Sequence, residues 1–222
     1  LGSVLGGLFE NFKPQGWVLL AGELPSISSA FPDLADRLLE RIDLSRPPVG
    51  LKPLGSPAEG LQAFLEELEI LTDMQGMVLD AGEDAASRLD DAGIVVLAGG
   101  GIRDWLQALA QGPLEQGLME FLRNDNIVLA AGSPAAALGS WTFEEGVYEL
   151  TEALSWLPGA VVLPGVTDPA ALPEVLRVLS AETRSFALGL PWDTALAIGP
   201  YGEAQVWSQS APKLVLGKGW QL

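Results

Sequence analysis

The run Ile127-Val128-Leu129-Ala130-Ala131, followed at once by Gly132-Ser133-Pro134-Ala135-Ala136-Ala137, constrains this chain more than any other segment. Apolar residues in sequence, without alternation, specify a strand buried on both faces, and Gly-Ser-Pro then turns the chain toward a helix. A strand covered on both faces needs helices above and below it, which points to an α/β architecture. Strand, sharp turn and helix is also the setting in which α/β hydrolases mount a nucleophile.

The rest of the chain repeats this alternation. Trp17–Gly22, Ile94–Ala98 and Ala160–Leu163 read as further buried strands, with a weaker one over Val49–Leu54 and a short one over Met77–Asp80. Pro32 opens a helix that places Leu34, Leu38, Leu39 and Ile42 on one face. Ser56-Pro57 with Glu59 has the pattern of an N-cap serine, an N1 proline and an N3 glutamate, ahead of a stripe of Leu61, Phe64, Leu65, Leu68 and Leu71. A short acidic helix is expected over Glu83–Asp91, and longer ones over Arg103–Gln111, Leu114–Arg123, Phe143–Leu157 and Pro169–Glu182. The C-terminal runs Phe186–Leu190, Ala195–Ile198, Ala204–Trp207 and Lys213–Leu216 are separated by turn residues, which predicts an antiparallel addition to the sheet edge. No linker or repeat divides the chain. The expectation is one three-layer α/β domain over 1–222, with a mostly parallel central sheet, an N-terminal extension over 1–16 and a β-rich edge over 186–222.

Two absences exclude whole classes of chemistry. The 222 residues contain no cysteine, so there is no disulfide, thiolate nucleophile or thiolate metal site. They contain no histidine either, which removes the commonest general base and metal ligand, and with them any Ser-His or Cys-His mechanism within this chain. No metal and no cofactor is expected. The formal charge of −17 repels nucleic acid and anionic membranes, so neither is an expected partner. Much of that charge, as in Glu66, Glu67 and Glu69, reads as solvated helix face. No apolar run approaches the roughly 20 residues that span a bilayer. Leu1–Gly16 lacks the basic and apolar regions of a signal peptide, so a cytoplasmic location is expected.

In open parallel sheets, ligands collect at the C-terminal ends of strands. One such end carries Gly99-Gly100-Gly101, whose amides allow close approach and anion binding; the alternative is a tight turn into a helix. Arg103 and Asp104 follow, and Arg103 is suited to a carboxylate. The other end is Gly132-Ser133-Pro134. Gly100, Gly101, Arg103, Asp104 and Ser133 are thus the candidate ligand-binding residues, for a small carboxylate or peptide. Trp105, Trp141 and Trp192 either line a pocket there or pack in the core. Glu144 and Glu145 are read as favouring the dipole of the helix expected after the turn. The apolar C-terminal segment is a candidate surface for a homodimer.

In order and spacing, four segments resemble the cyanophycinase and dipeptidase E family of serine peptidases. They are Ala92–Gly101, Gly132–Ala137, Leu163-Pro164-Gly165-Val166 and Gly189–Leu196. The resemblance extends from about Trp17 to Trp220 and implies a flavodoxin-like, class I glutamine amidotransferase-like fold. It does not carry the catalytic residues over. The family's elbow reads Gly-x-Ser-Ala-Gly-Ala, and the match puts Pro134 at the serine and Ala136 at the following glycine. Leu-Pro-Gly-Val is typically followed in the family by Asp-Gln-His, where this chain has Asp168-Pro169-Ala170. The family's Gly-Ile-Asp-Glu has become Gly189-Leu190-Pro191-Trp192, so an acidic pair is replaced by Pro-Trp.

Backbone chemistry tests the elbow separately. Proline, fixed near a φ of about −65°, cannot adopt the strained nucleophile turn. If Ser133 is the elbow residue instead, Pro134 removes the N–H that an oxyanion hole needs there, typically about 10²–10³ in rate. A simpler reading makes Ser133 an N-cap and Pro134 an N1 residue, a device repeated at Ser56-Pro57 and Asp168-Pro169. The leading expectation is a non-catalytic homologue acting as a binding or structural protein. The rival is a divergent serine peptidase or amidohydrolase using Ser133 with a lysine or carboxylate base, for which Lys52, Lys213 and Lys218 are the peripheral lysines. A glutamine amidotransferase is excluded because its thiol is missing.

Overall fold

The burial on both faces read from Ile127–Ala131 holds at the centre of a seven-stranded sheet. The computed structural model describes residues 8–9, 14–27, 32–110, 112–144 and 147–220. Strands β1 (Trp17–Ala21), β2 (Pro48–Lys52), β3 (Met77–Asp80), β4 (Ile94–Leu97) and β5 (Ile127–Ala131) run parallel in the order β1-β5-β4-β2-β3. Two antiparallel strands complete the sheet beyond β1: β10 (Ala195–Ile198) and then β11 (Ala204–Val206).

Successive side chains along each strand enter opposite cores. Val18, Leu20, Val95, Leu97, Val128 and Ala130 pack on one side, with Trp105 and Leu109 of α4 (Ile102–Ala110) and Leu118 and Phe121 of α5 (Pro113–Arg123). Leu19, Ala21, Val96, Ile127 and Leu129 pack on the other, with Leu34 and Leu38 of α1 (Pro32–Leu39) and Leu61, Phe64, Leu65 and Leu68 of α2 (Glu59–Thr72). Each fully buried aliphatic side chain contributes about 1.5–3 kcal/mol, so an unbroken apolar run is what a sheet between two helical layers demands. The acidic stretch before β4 forms α3 (Glu83–Ala86) and a 3-10 turn over Leu89–Asp91.

A second sheet of five strands has the order β12-β9-β8-β6-β7. Its members are β6 (Trp141–Glu144), β7 (Val147–Glu152), β8 (Ala160–Pro164), β9 (Phe186–Leu190) and β12 (Lys213–Leu216). β8 lies parallel to β9 and β6, while β7 and β12 add antiparallel at the two edges. The two sheets share one core, in which Val162 of β8 and Phe186 and Leu188 of β9 join Val18 and Val128; within the first sheet the ladder runs past the strand ends, the Gly22 N–H donating to the Thr194 carbonyl (3.1 Å) and the Gly132 N–H to that of Ala21 (3.1 Å).

Several expectations are corrected. The helix expected over Phe143–Leu157 is the hairpin β6–β7, because Trp141-Thr142-Phe143 and Val147-Tyr148-Glu149-Leu150-Thr151 alternate at period two with β-branched and aromatic residues. Glu144 therefore ends a strand, and Glu145 lies outside the described residues, as does Gln111. The C-terminal runs divide between the sheets, and β9 pairs parallel with β8 instead of joining an antiparallel edge. The helix expected over Pro169–Glu182 is a 3-10 turn, Pro169–Ala171, followed by α7 (Pro173–Ala181). Pro173 forces this break, since the residue before a proline is driven to extended backbone and Leu172 has φ −97° and ψ 110°. The helix after Ser56-Pro57 starts at Glu59, with Ala58 and not Ser56 at the N-cap.

Candidate functional site

The ends of β4, β5 and β8 open on one cleft of about 890 Å3, within the roughly 300–1,000 Å3 usual for small-molecule sites. Gly100, Gly101, Arg103, Asp104 and Ser133 all line it, as does Trp192. The residues singled out from the sequence as ligand-binding are thus brought together. Pro134 and Ala170 are not among its lining residues: Pro134 is buried in the helix after the turn, and Ala170 is exposed in the 3-10 turn after β8.

The glycine turn after β4 is held from both sides. Gly99 and Gly100 have φ of 74° and 66°, a region that glycine enters without penalty. The indole N–H of Trp105 donates to the Gly99 carbonyl at 2.6 Å. Trp105 is fully buried and belongs to the core beneath the turn, not to the cleft wall. The Asp104 carboxylate accepts from the Gly101 N–H at 2.9 Å. It supplies the reciprocal half of a capping box at the start of α4, so one amide expected to face an anionic ligand already faces a carboxylate of the chain itself.

The second end differs from both readings of the elbow. The residue in the strained conformation is Gly132, with φ 73° and ψ −130°. Ser133 and Pro134 are the first residues of the short helix α6 (Ser133–Ala137), and neither has positive φ. Gly132 is the N-cap, and no side chain caps this helix, so the expected Ser133 cap is not formed. Among the three Ser/Asp-Pro sites, only Asp168-Pro169 behaves as expected, the Asp168 carboxylate accepting from the Ala170 N–H at 3.1 Å. Ser133 is half-buried and lines the cleft.

The opposite wall could not be read from the sequence, because it is built by the hairpin and α7. Thr142 and Phe143 of β6 and Glu174 and Val175 of α7 line it, together with Leu163-Pro164-Gly165-Val166 from the end of β8. Thr142 is 1% exposed, and its hydroxyl has no hydrogen-bond partner among the described residues. Trp192 stands at the rim, 58% exposed, with its ring against Gly165 (φ 75°), where a β-carbon would collide with the indole. Trp141 packs partly buried beside Val161 and Val175 and is not among the lining residues. Among the described residues no lysine lines the cleft; Lys52 pairs with Asp80 at 2.5 Å instead. Among the described residues no group of three or more His, Cys, Asp or Glu side chains could hold a metal ion, and no helix is long and apolar enough to cross a membrane.

No protein-family model and no curated protein sequence matches this chain. Solved structures do match it. A peptidase from an acI-B1 Actinobacterium aligns with a TM-score of 0.66 and 16% identity, over 94% of this chain and 98% of its own. A candidate peptidase E from Listeria monocytogenes EGD-e aligns with a TM-score of 0.57 and 13% identity, over 88% of this chain and 99% of its own. The fold is thus peptidase E-like, α/β with a mostly parallel central sheet, as the sequence resemblance implies. At these identities the likeness is one of fold.

Proposed function

We propose that this chain is a non-catalytic relative of peptidase E-like serine peptidases, a binding or structural protein whose cleft holds a small molecule or peptide without cleaving it. One observation carries the reading. The strained residue between β5 and α6 is Gly132, which has no side chain, whereas a hydrolase of this architecture projects its attacking hydroxyl from that turn. The register of the degenerate elbow therefore falls two residues before Pro134. The absence of histidine from the sequence supports the same reading, as do Ala170 and Trp192 in place of the family's polar groups.

One rival has a specific feature in its favour. Ser133 lines the same cleft as Asp104 and Glu174, the acidic residues available there as a base for a divergent serine hydrolase. Against it, Pro134 follows directly and offers no N–H to an oxyanion, and Asp104 is engaged in capping α4. Incubating the purified protein with a mixture of di- and tripeptides, read by mass spectrometry, separates the two. The proposal expects every peptide to survive; cleavage that disappears in Ser133→Ala establishes the rival.

A further inference from the structure

We infer that the cleft takes an organic ammonium cation with an apolar body, recognised by the acidic residues Asp104 and Glu174 and by the exposed ring of Trp192. This rests on the reading of the cleft as a binding site and adds the class of its occupant. The charged residues of the lining are Arg103, Asp104 and Glu174. Among the described residues neither Asp104 nor Glu174 is in a salt bridge, so two negative charges are left for a ligand to balance. Arg103, the group best suited to an anion, already has a partner within the chain. The Gly101 amide likewise already donates to the Asp104 carboxylate. An anion would have to displace contacts that the chain makes with itself, and would approach a protein of net charge −17. A cation gains on both counts.

Trp192 points to the same class on separate grounds. It is 58% exposed at the rim, yet it is held in place. Its ring rests on Gly165, where a β-carbon would collide with the indole. The loop that carries it is closed by the Thr194 N–H donating to the Pro191 carbonyl at 2.9 Å, and the Asp193 carboxylate accepts from the Ser210 hydroxyl. A solvated ring fixed in this way loses little freedom when a ligand covers it. Of the aromatic side chains, indole presents the face that attracts a cation most strongly. Ile102, Phe143, Val166 and Leu172 line the same cleft and are only half-buried, which leaves apolar surface for the body of the molecule.

The test uses one phenylethyl body with three head groups: phenethylamine, which is protonated at neutral pH, phenethyl alcohol and hydrocinnamate. Each is titrated against the full chain by ligand-observed NMR and by tryptophan fluorescence. The amine should bind about fivefold or more tightly than the alcohol, and hydrocinnamate more weakly than either. Added salt should weaken the amine and leave the alcohol unchanged. Glu174→Gln should weaken the amine by about three- to fivefold without affecting the alcohol. Trp192→Ala should weaken the amine by about two- to fivefold, and the fluorescence change should be missing from Trp192→Phe. Glu69→Gln removes a charge from the exposed side of α2, away from the cleft, and should change neither ligand. An amine that binds no more tightly than the alcohol, or that Glu69→Gln weakens as much as Glu174→Gln does, overturns the inference. Binding of the alcohol or of hydrocinnamate that Trp192→Ala removes would still leave the cleft a binding site. If none of the three binds, the inference and the binding-site reading both fail.

Discussion

Gly132→Ala isolates the feature on which the functional reading depends. A β-carbon added at Gly132 meets nothing nearer than the Gly22 carbonyl oxygen at 3.9 Å, so the substitution carries a conformational penalty without a collision. A non-glycine residue held in a sparsely populated region of positive φ costs about 1–3 kcal/mol. The reduced freedom of alanine in the unfolded chain returns about 0.4–1 kcal/mol. Taking the middle of each range, the net loss is about 1.3 kcal/mol, and for a domain of this size that lowers the melting temperature by about 3–5 °C. Gly100→Ala provides the contrast. Its φ is also positive, at 66°, but its β-carbon would lie 2.5 Å from Cγ of Pro53, so a clash adds to the strain and the loss should be larger. Thermal unfolding followed by circular dichroism measures both variants under the same conditions. An unchanged or raised melting temperature for Gly132→Ala would refute the reasoning, because the turn could then not be strained at that residue.

Other perturbations test how the site is supported. Leu129→Ala, in the middle of β5 and fully buried, should cost about 2–5 kcal/mol by chemical denaturation. Trp105→Phe keeps much of the packing but removes the donor to the Gly99 carbonyl, so a loss of about 1–3 kcal/mol is expected by the same measurement. Asp104→Ala removes the carboxylate that accepts from Gly101 and should destabilise by about 0.5–2 kcal/mol, read as a lowered melting temperature. Gly165→Ala forces a β-carbon into the Trp192 ring and should displace the indole, seen as a change in its fluorescence relative to a Trp192→Phe control.

The parallel half of the fold was legible because its signal is compositional. Val18–Ala21, Ile94–Leu97 and Ile127–Ala131 are apolar at every position, and only strands covered on both faces tolerate that. The hairpin β6–β7 is hard to read from its residues although its alternation is visible, because a strand and turn at Gly132 call for a long helix, and the helix that follows ends at Ala137. The consequence reached the site, since Thr142 and Phe143 form a wall that no helical reading could bring to the cleft. The role of Gly132 is hidden in the sequence for a related reason. Serine-proline and glycine-serine steps both start helices, and only the dihedral angles reveal which residue absorbs the turn. The glycine-rich end of β4 and the rim tryptophan were legible because strand ends in parallel sheets are where ligands gather.

Intact-mass analysis after treatment with a fluorophosphonate tests the absence of an activated hydroxyl most directly. The account predicts a protein of unchanged mass after prolonged exposure, alongside complete labelling of a serine hydrolase in the same tube. An adduct mapped to Ser133, lost in Ser133→Ala and blocked by a bound peptide, would contradict it.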